Sequence, residues 1–366
     1  MNVLTIGGAM VDTIVTIASD RIEQMKMLNA ESSYLLLEEG IKTEADQIST
    51  STGGGAINAA VTAARLGNST STIVKLGEDS KARTVLDRLT EEGVDLRWIV
   101  TDDTAPTGAS VIVSSHERNA AVFTYRGANT KLEAADIPAA AFEYRDLVYV
   151  ANLSNQSADC YPLIVDRAKS AGAKLAVNPG VRQLTARYDD FWESLDQIDV
   201  LSINRAEAQA LMPRLLQSFG DGGAPLAVHD GAATPVLAKR GLRNGGYEMS
   251  LGKFFGGLIK VGVGTVVLTD GANGAFLATG CDLYFREAPH VVAAATTGAG
   301  DAFSATFACY SSQTNDVARA LSAAALNAAS VVKFVDTQSG LLTLQALEAE
   351  IESAAATAPS LHSWSI

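Results

Sequence analysis

Short apolar, β-branched runs alternate with Ala-rich stretches of helical period along most of the chain. The strand-like runs are Val3–Ile6, Thr72–Leu76, Leu147–Val150, Lys174–Val177, Val200–Ile203 and Thr265–Thr269. The helical stretches are Ile57–Leu66, Lys81–Glu92, Tyr161–Ala171, Arg205–Met212, Ala299–Ser312 and Val317–Val332. A strand that is apolar on both faces must be covered on both. The alternation therefore predicts an α/β fold with a central, mostly parallel sheet and helices on each side, joined by right-handed crossovers.

Two regions break the rhythm. Residues 13–50 separate the first strand from a Gly-rich turn and contain the strand-like run Tyr34–Leu37. The runs Ala109–Ser114 and Ala120–Tyr125 flank a polar turn at Ser115–Asn119. Both read as parts of a small antiparallel β appendage, a lid over a site. A third stretch, 213–248, is Gly-rich, contains Pro225 and Pro235, and lacks clear periodicity. So long a stretch without structure is uncommon in a compact domain, and it reads as a surface insertion. The expected division assigns residues 1–12, 51–105 and 128–366 to a large domain, 13–50 and 106–127 to the lid, and 213–248 to the insertion.

Composition narrows the classes. The chain has 366 residues, 47% hydrophobic and 19% charged, enough for a full core and against wholesale disorder. Against 28 Lys and Arg stand 41 Asp and Glu, a net charge of −13. That balance argues against nucleic acid or an anionic membrane as the main partner. No run of 18 or so apolar residues predicts a membrane span, and the first residues read as a strand, not a signal peptide. Cys160, Cys281 and Cys309 are widely spaced and suggest no disulfide frame, so a reducing cytoplasm is expected. His116, His229, His290 and His362 lack zinc-type spacing, and neither a His-based metal site nor a Ser-His-Asp triad has support.

The strongest chemical signal is Thr296–Phe303, TTGAGDAF. Small residues open a helix there, and free N–H groups at a helix start favour an anion. Gly298 and Gly300 let the backbone approach a phosphate closely. Asp301, in the first turn, could take the proton of a hydroxyl that attacks a phosphoryl group. The plain alternative is a tight turn followed by an N-terminal helix charge. A second signal is Gly53-Gly54-Gly55-Ala56-Ile57-Asn58, where Asn58 offers donors and acceptors to a polyol, or only a partial cap to a helix. A third is Gly7–Asp12 beyond the first strand, where α/β folds bind ligands. Asp12 is placed there to accept from sugar hydroxyls, or to finish a turn. Gly241–Gly246 lacks the Lys-Ser/Thr ending of a P-loop, and the glycines after the first strand do not complete a dinucleotide fingerprint.

Taken together and in order, these stretches resemble the ribokinase-like (pfkB) family of sugar and nucleoside kinases. The likeness extends through LGEDSKARTVLDRLTEEGVD at 76–95, PTGAS at 106–110, RGAN at 126–129, VNPG at 177–180, SINRAEA at 202–208 and VVLTDGANGA at 266–275. The resemblance implies a mostly parallel sheet with a β lid, and transfer of the γ-phosphoryl group of ATP to a hydroxyl. It implies Asp301 as base and Gly298, Ala299 and Gly300 as anion hole. Asp12, Gly54, Gly55, Asn58 and Asn129 match acceptor positions. Asn204, Thr269, Gly271 and Asn327 match nucleotide positions, and Glu207 a magnesium position acting through water. Three departures stand out. Ala295 replaces an Asp that contributes to a monovalent-cation site in many relatives, which weakens that site here. Met10 and Gly55 replace the Asn and Lys with which ribokinases hold ribose, pointing to a bulkier or less polar acceptor. A nucleoside kinase is one alternative, and a non-catalytic sugar-sensing protein another. Exposed lid edges point to a homodimer.

Overall fold

The computed structural model describes residues 1–18, 23–26, 33–36, 39–40, 42–115, 120–227, 235–355 and 361–366. Nine strands form the main sheet, in the order His362–Ser365, Asp282–Arg286, Ala275–Thr279, Thr265–Thr269, Val200–Asn204, Lys174–Val177, Leu147–Val150, Asn2–Ile6 and Ser69–Ile73. Pairing is parallel from Thr265–Thr269 to Ser69–Ile73 and antiparallel across the other edge. Strand alternation sends Leu4, Ile6, Val148 and Val150 into one core layer, under the helices Tyr161–Ser170, Arg205–Phe219 and Leu251–Val261. Val3, Leu147 and Tyr149 face the other layer, under Gly55–Arg65, Ala299–Thr314 and Val317–Val331. The sheet is thus buried on both faces, as its near-continuous apolar strands require.

A separate sheet contains Ala120–Tyr125, Gly108–Ser115, Met10–Ile17 and Gln47–Gly53, in that order. It is not wholly antiparallel as expected, because Met10–Ile17 and Gly108–Ser115 run parallel. Both leave the main body in the same direction, with the helices Gly55–Arg65 and Ser80–Glu91 in the intervening chain. The register also puts Asp12 inside this sheet, opposite Ser51 and Ser110, so the sheet begins at Met10 and not after residue 12. The run near Tyr34 forms Ser33–Leu36, paired with Glu23–Lys26. Leu37, and the turn residues 116–119, lie outside the described residues.

The stretch read as an insertion from Pro213 begins differently. The helix Arg205–Phe219 runs through Pro213. Proline has no N–H to give the carbonyl four residues back. That carbonyl, Gln209 O, accepts instead from Asn244 Nδ2 at 2.6 Å, and Gln209 Nε2 donates to Arg243 O at 2.8 Å. The hairpin Leu242–Asn244 with Tyr247–Met249 therefore covers the defect, and Leu237, Leu242 and Met249 join the core. Residues 228–234 lie outside the described residues. Among the described residues no helix is long and apolar enough to cross a membrane.

Candidate active site

The helix Ala299–Thr314 starts from Gly298, whose φ of 82° is left-handed. A Cβ on Gly298 would lie 2.6 Å from Thr337 Cβ, so both conformation and space exclude a side chain. Ala302 N–H turns back to Gly298 O at 2.9 Å, while the amides of Gly300 and Asp301 have no backbone acceptor among the described residues. They form the donor end that an anion can occupy. Gly300 has open space around its Cα, and with Ala299 it lines the neighbouring cleft.

Asp301 keeps a partly exposed edge, yet the protein packed around its carboxylate raises its pKa. The charge of Asp12 raises it further, and the hydrogen bond from Asn58 works in the opposite direction. Asn58 Nδ2 donates to Asp301 Oδ2 at 2.8 Å. The other end of that amide is fully engaged, since Asn58 Oδ1 accepts from Thr337 Oγ1 at 3.0 Å and from Gln338 Nε2 at 3.1 Å. Gln338 Oε1 accepts in turn from Thr52 Oγ1 and Arg88 Nε. This buried network fixes the amide's orientation, so the Asp301 carboxylate is held through one oxygen and presents the other. Asn58 is thus a positioning residue for Asp301. Thr337, Gln338 and Arg88 were not foreseen, because nothing local in the sequence joins them to the Gly-rich turn.

Asp12 is buried at 4% exposure and accepts a hydrogen bond from Ser110 Oγ. Burial raises its carboxyl, partly offset by Ser110. Ser51, on the same face by register, has a buried hydroxyl with no partner among the described residues. The Asp12 carboxylate overlies Gly53. Gly54 caps the helix that carries Asn58. A Cβ on Gly55 would collide with Ala151 Cβ at 2.8 Å and would approach Asp301 Oδ1 at 3.6 Å, so the missing side chain keeps the Asp301 carboxylate accessible. The same position lies 3.5 Å from Asn152 Oδ1. Asn152 was also missed, although it sits just past Leu147–Val150, at the strand ends where α/β sites form. Asn129 is differently employed. Its Oδ1 accepts from Ala9 N at 2.8 Å and its Nδ2 donates to Ala9 O at 2.7 Å, which clamps the strand entry and leaves one N–H free.

On the other side of the anion-binding turn lies a cavity of about 620 Å³. Asn204, Thr269 and Gly271 line it, with Arg286, His290 and the small face of Ala325, Ala328 and Ala329. Asn327 does not reach it. Its side chain is fully buried, donating to Thr306 Oγ1 at 2.8 Å and accepting from Leu342 N at 2.9 Å. The helix face toward the cavity is the alanine one, and Asn327 ties the helix to its neighbours. Ala295 offers no carboxylate, and its N–H donates to Val332 O at 3.3 Å.

Glu207 and Asn204 form a reciprocal cap, with Asn204 N donating to Glu207 Oε2 at 2.8 Å and Glu207 N to Asn204 Oδ1 at 3.0 Å. Burial, with the charge of Asp301 adding to it, pushes Glu207 up to about 7 despite the bonds to Asn204. Among the described residues no group of three or more His, Cys, Asp or Glu could enclose a metal. A single carboxylate near a helix start that an anion can occupy fits Mg²⁺, which keeps most of its water. On the reading that Glu207 holds Mg²⁺ through water, its protonation as pH falls through about 7 should raise the Mg²⁺ needed for half-maximal rate. Titrating Mg²⁺ across pH checks this. Glu207→Gln should flatten the dependence and raise the requirement on the alkaline side.

The pfkB family carbohydrate kinase model matches residues 26–344. A deoxyribokinase from Salmonella typhi is 26% identical over 313 residues, covering 84% of this chain and 90% of that protein. The solved Arabidopsis thaliana ribokinase, complexed with ribose and ATP, superposes with a TM-score of 0.70 at 20% identity, over 96% of this chain and 98% of that one. An Escherichia coli putative ribokinase II in complex with ATP and Mg²⁺ also gives 0.70, at 18% identity, over 96% and 99%.

Proposed function

Since this chain belongs to the pfkB family of carbohydrate kinases, we propose that it transfers the γ-phosphoryl group of ATP to a hydroxyl, a primary one, of a sugar or sugar derivative. One observation carries the reading. A carboxylate held through Oδ2 by Asn58 stands in the first turn of a helix whose free amides lie between a polar row and a nucleotide-sized cavity. In the proposed step the acceptor oxygen attacks the γ-phosphorus as its proton passes to Asp301. The bond to the bridging oxygen breaks and ADP leaves with the electron pair. In the Gly298–Gly300 anion hole, the free amides at the helix start, those of Gly300 and Asp301, face the charge spread over the transferring group, a preorganised arrangement that needs no rearrangement during reaction. Asn204, Thr269 and Gly271 hold the nucleotide, Asp12 orients acceptor hydroxyls, and the small sheet keeps water out. Glu207 would hold Mg²⁺ through water, and the ion would supply charge neutralisation at the phosphates.

ADP release with a panel of sugars, sugar derivatives and nucleosides tests this. Turnover confined to nucleosides would favour the second reading, which Met10 supports, since its thioether replaces an amide at the entry to the small sheet. Ligand binding without turnover across the panel would favour a sensor. A homodimer is also part of the reading. Register places Ile48, Val111, Phe123 and Tyr125 on one face of the small sheet, and all four are exposed. Sedimentation should give twice the chain mass, and Phe123→Glu should shift the protein toward monomer.

A further inference from the structure

Two arginines stand at the acceptor end of the site without a carboxylate to balance them. Arg126 follows Ala120–Tyr125, the last strand of the small sheet, and its Nη1 donates to Ser154 Oγ at 2.9 Å. Ser154 lies two residues beyond Asn152, whose Cβ would sit 3.1 Å from a Cβ on Gly180. Gly180 in turn caps the helix Val181–Ala186, which carries Arg182 in its first turn. Leu153 N–H reaches across to Gln183 Oε1 at 3.2 Å and ties the two loops together. The cluster is thus fixed at the carboxyl ends of Leu147–Val150 and Lys174–Val177. Asn152 lies beside both Gly55 and Gly180, and Gly55 also faces the Asp301 carboxylate.

Arg65, Arg88, Arg187 and Arg319 each engage a carboxylate. Arg126 and Arg182 engage none among the described residues, and Arg126 is half-buried. Burial and the neighbouring Arg182 charge both push Arg126 below its usual value. Guanidinium groups nonetheless stay protonated. The half-buried Arg126 and the exposed Arg182 repel each other in the free protein, and an anion arriving between them removes that repulsion. The charge is also local, because the chain as a whole is at −13. Arg286 also engages no carboxylate among the described residues, but it lines the cavity on the nucleotide side; two unpaired guanidinium groups at the acceptor end can steer an anion there even in a globally acidic protein.

Resting on the kinase reading, we propose that the acceptor carries an anionic group, a carboxylate or a phosphate ester, away from the hydroxyl that is phosphorylated. Arg126 and Arg182 hold this group, with the Ser154 hydroxyl fixing the Arg126 fork. The acceptor is then a sugar acid or a sugar phosphate. A neutral sugar of the same skeleton lacks the contact.

Calorimetry separates this inference from the kinase reading because it needs no turnover. The full-length Asp301→Asn protein, with a nonhydrolysable ATP analogue, is titrated with matched sets: neutral hexoses, their aldonic acids and their monophosphates. An anionic member should bind about tenfold or more tightly than its neutral counterpart, with an affinity that falls as salt rises. The acid and phosphate arms identify which anion is used. Arg182→Gln, an exposed position, and Arg126→Gln should each erase most of that preference, with thermal unfolding confirming the fold. Arg126→Lys should restore part of the salt dependence without the bidentate affinity. Equal binding of neutral and anionic members, or an anion preference untouched in both Gln variants, overturns the proposal. Absence of ADP release by the unmutated protein with every acceptor that binds would overturn the kinase reading instead.

Discussion

Asp301→Asn should bind ATP and acceptor with little change while kcat falls about 10²–10⁴-fold. Asn58 offers an N–H to the side chain at 301, so an asparagine there settles with its carbonyl toward Asn58 and its NH₂ toward the acceptor. A donor then faces the hydroxyl that must lose a proton. The comparison is ADP release at saturating substrates against calorimetric affinity, and near-native turnover would remove Asp301 from the role of base. The pH profile gives a second check. Burial raises the Asp301 carboxyl, so activity should fade as pH drops through a value above the ordinary carboxylate range. Asn58 opposes that rise, so Asn58→Ala should move the acid limb to higher pH.

Gly298→Ala should cost both stability and turnover. The left-handed backbone alone costs about 1–2 kcal/mol for a residue with a side chain. The added methyl would also lie 2.6 Å from Thr337 Cβ and 3.0 Å from its Cα, and buried backbone yields poorly. Relief must come from shifting the helix start or the segment that holds Asn58. A displacement of about 1 Å at a reacting geometry costs on the order of 10²-fold. Gly300→Ala is the matched control for stability. Nothing lies within 4 Å of its added Cβ, and alanine is the better helix former. A lower melting temperature for Gly298→Ala and an equal or higher one for Gly300→Ala are expected. Equal melting temperatures would show that the left-handed start is not a constraint.

What could be read from the chain follows the range of the interactions. The buried parallel strands announce themselves because both faces are apolar, and the Gly-rich turns because their chemistry is contiguous. The antiparallel strands Ala275–Thr279, Asp282–Arg286 and His362–Ser365 were not foreseen; Asp282–Arg286 mixes exposed with buried positions, and His362–Ser365, at the sheet's edge, has no buried one. Pro213 misled because the partner that offsets its missing hydrogen bond, Asn244, arrives from a hairpin. Asn327 lies in an Ala-rich helix whose composition does not say which face meets the cavity. Gln338, Asn152 and the Arg126–Arg182 pair depend on topology alone.

The amide that orients Asp301 bonds residues 279 and 280 positions further along the chain. During synthesis, Asn58 therefore leaves the ribosome long before Thr337 and Gln338 exist. The N-terminal strand and its Gly-rich turn can be folded by then, but the amide that meets the Asp301 carboxylate has no fixed orientation. On the proposed mechanism, catalytic competence is a property of the finished polypeptide: a chain truncated before Thr337 carries Gly298 and Gly300 and still lacks the latch that aims the Asp301 carboxylate.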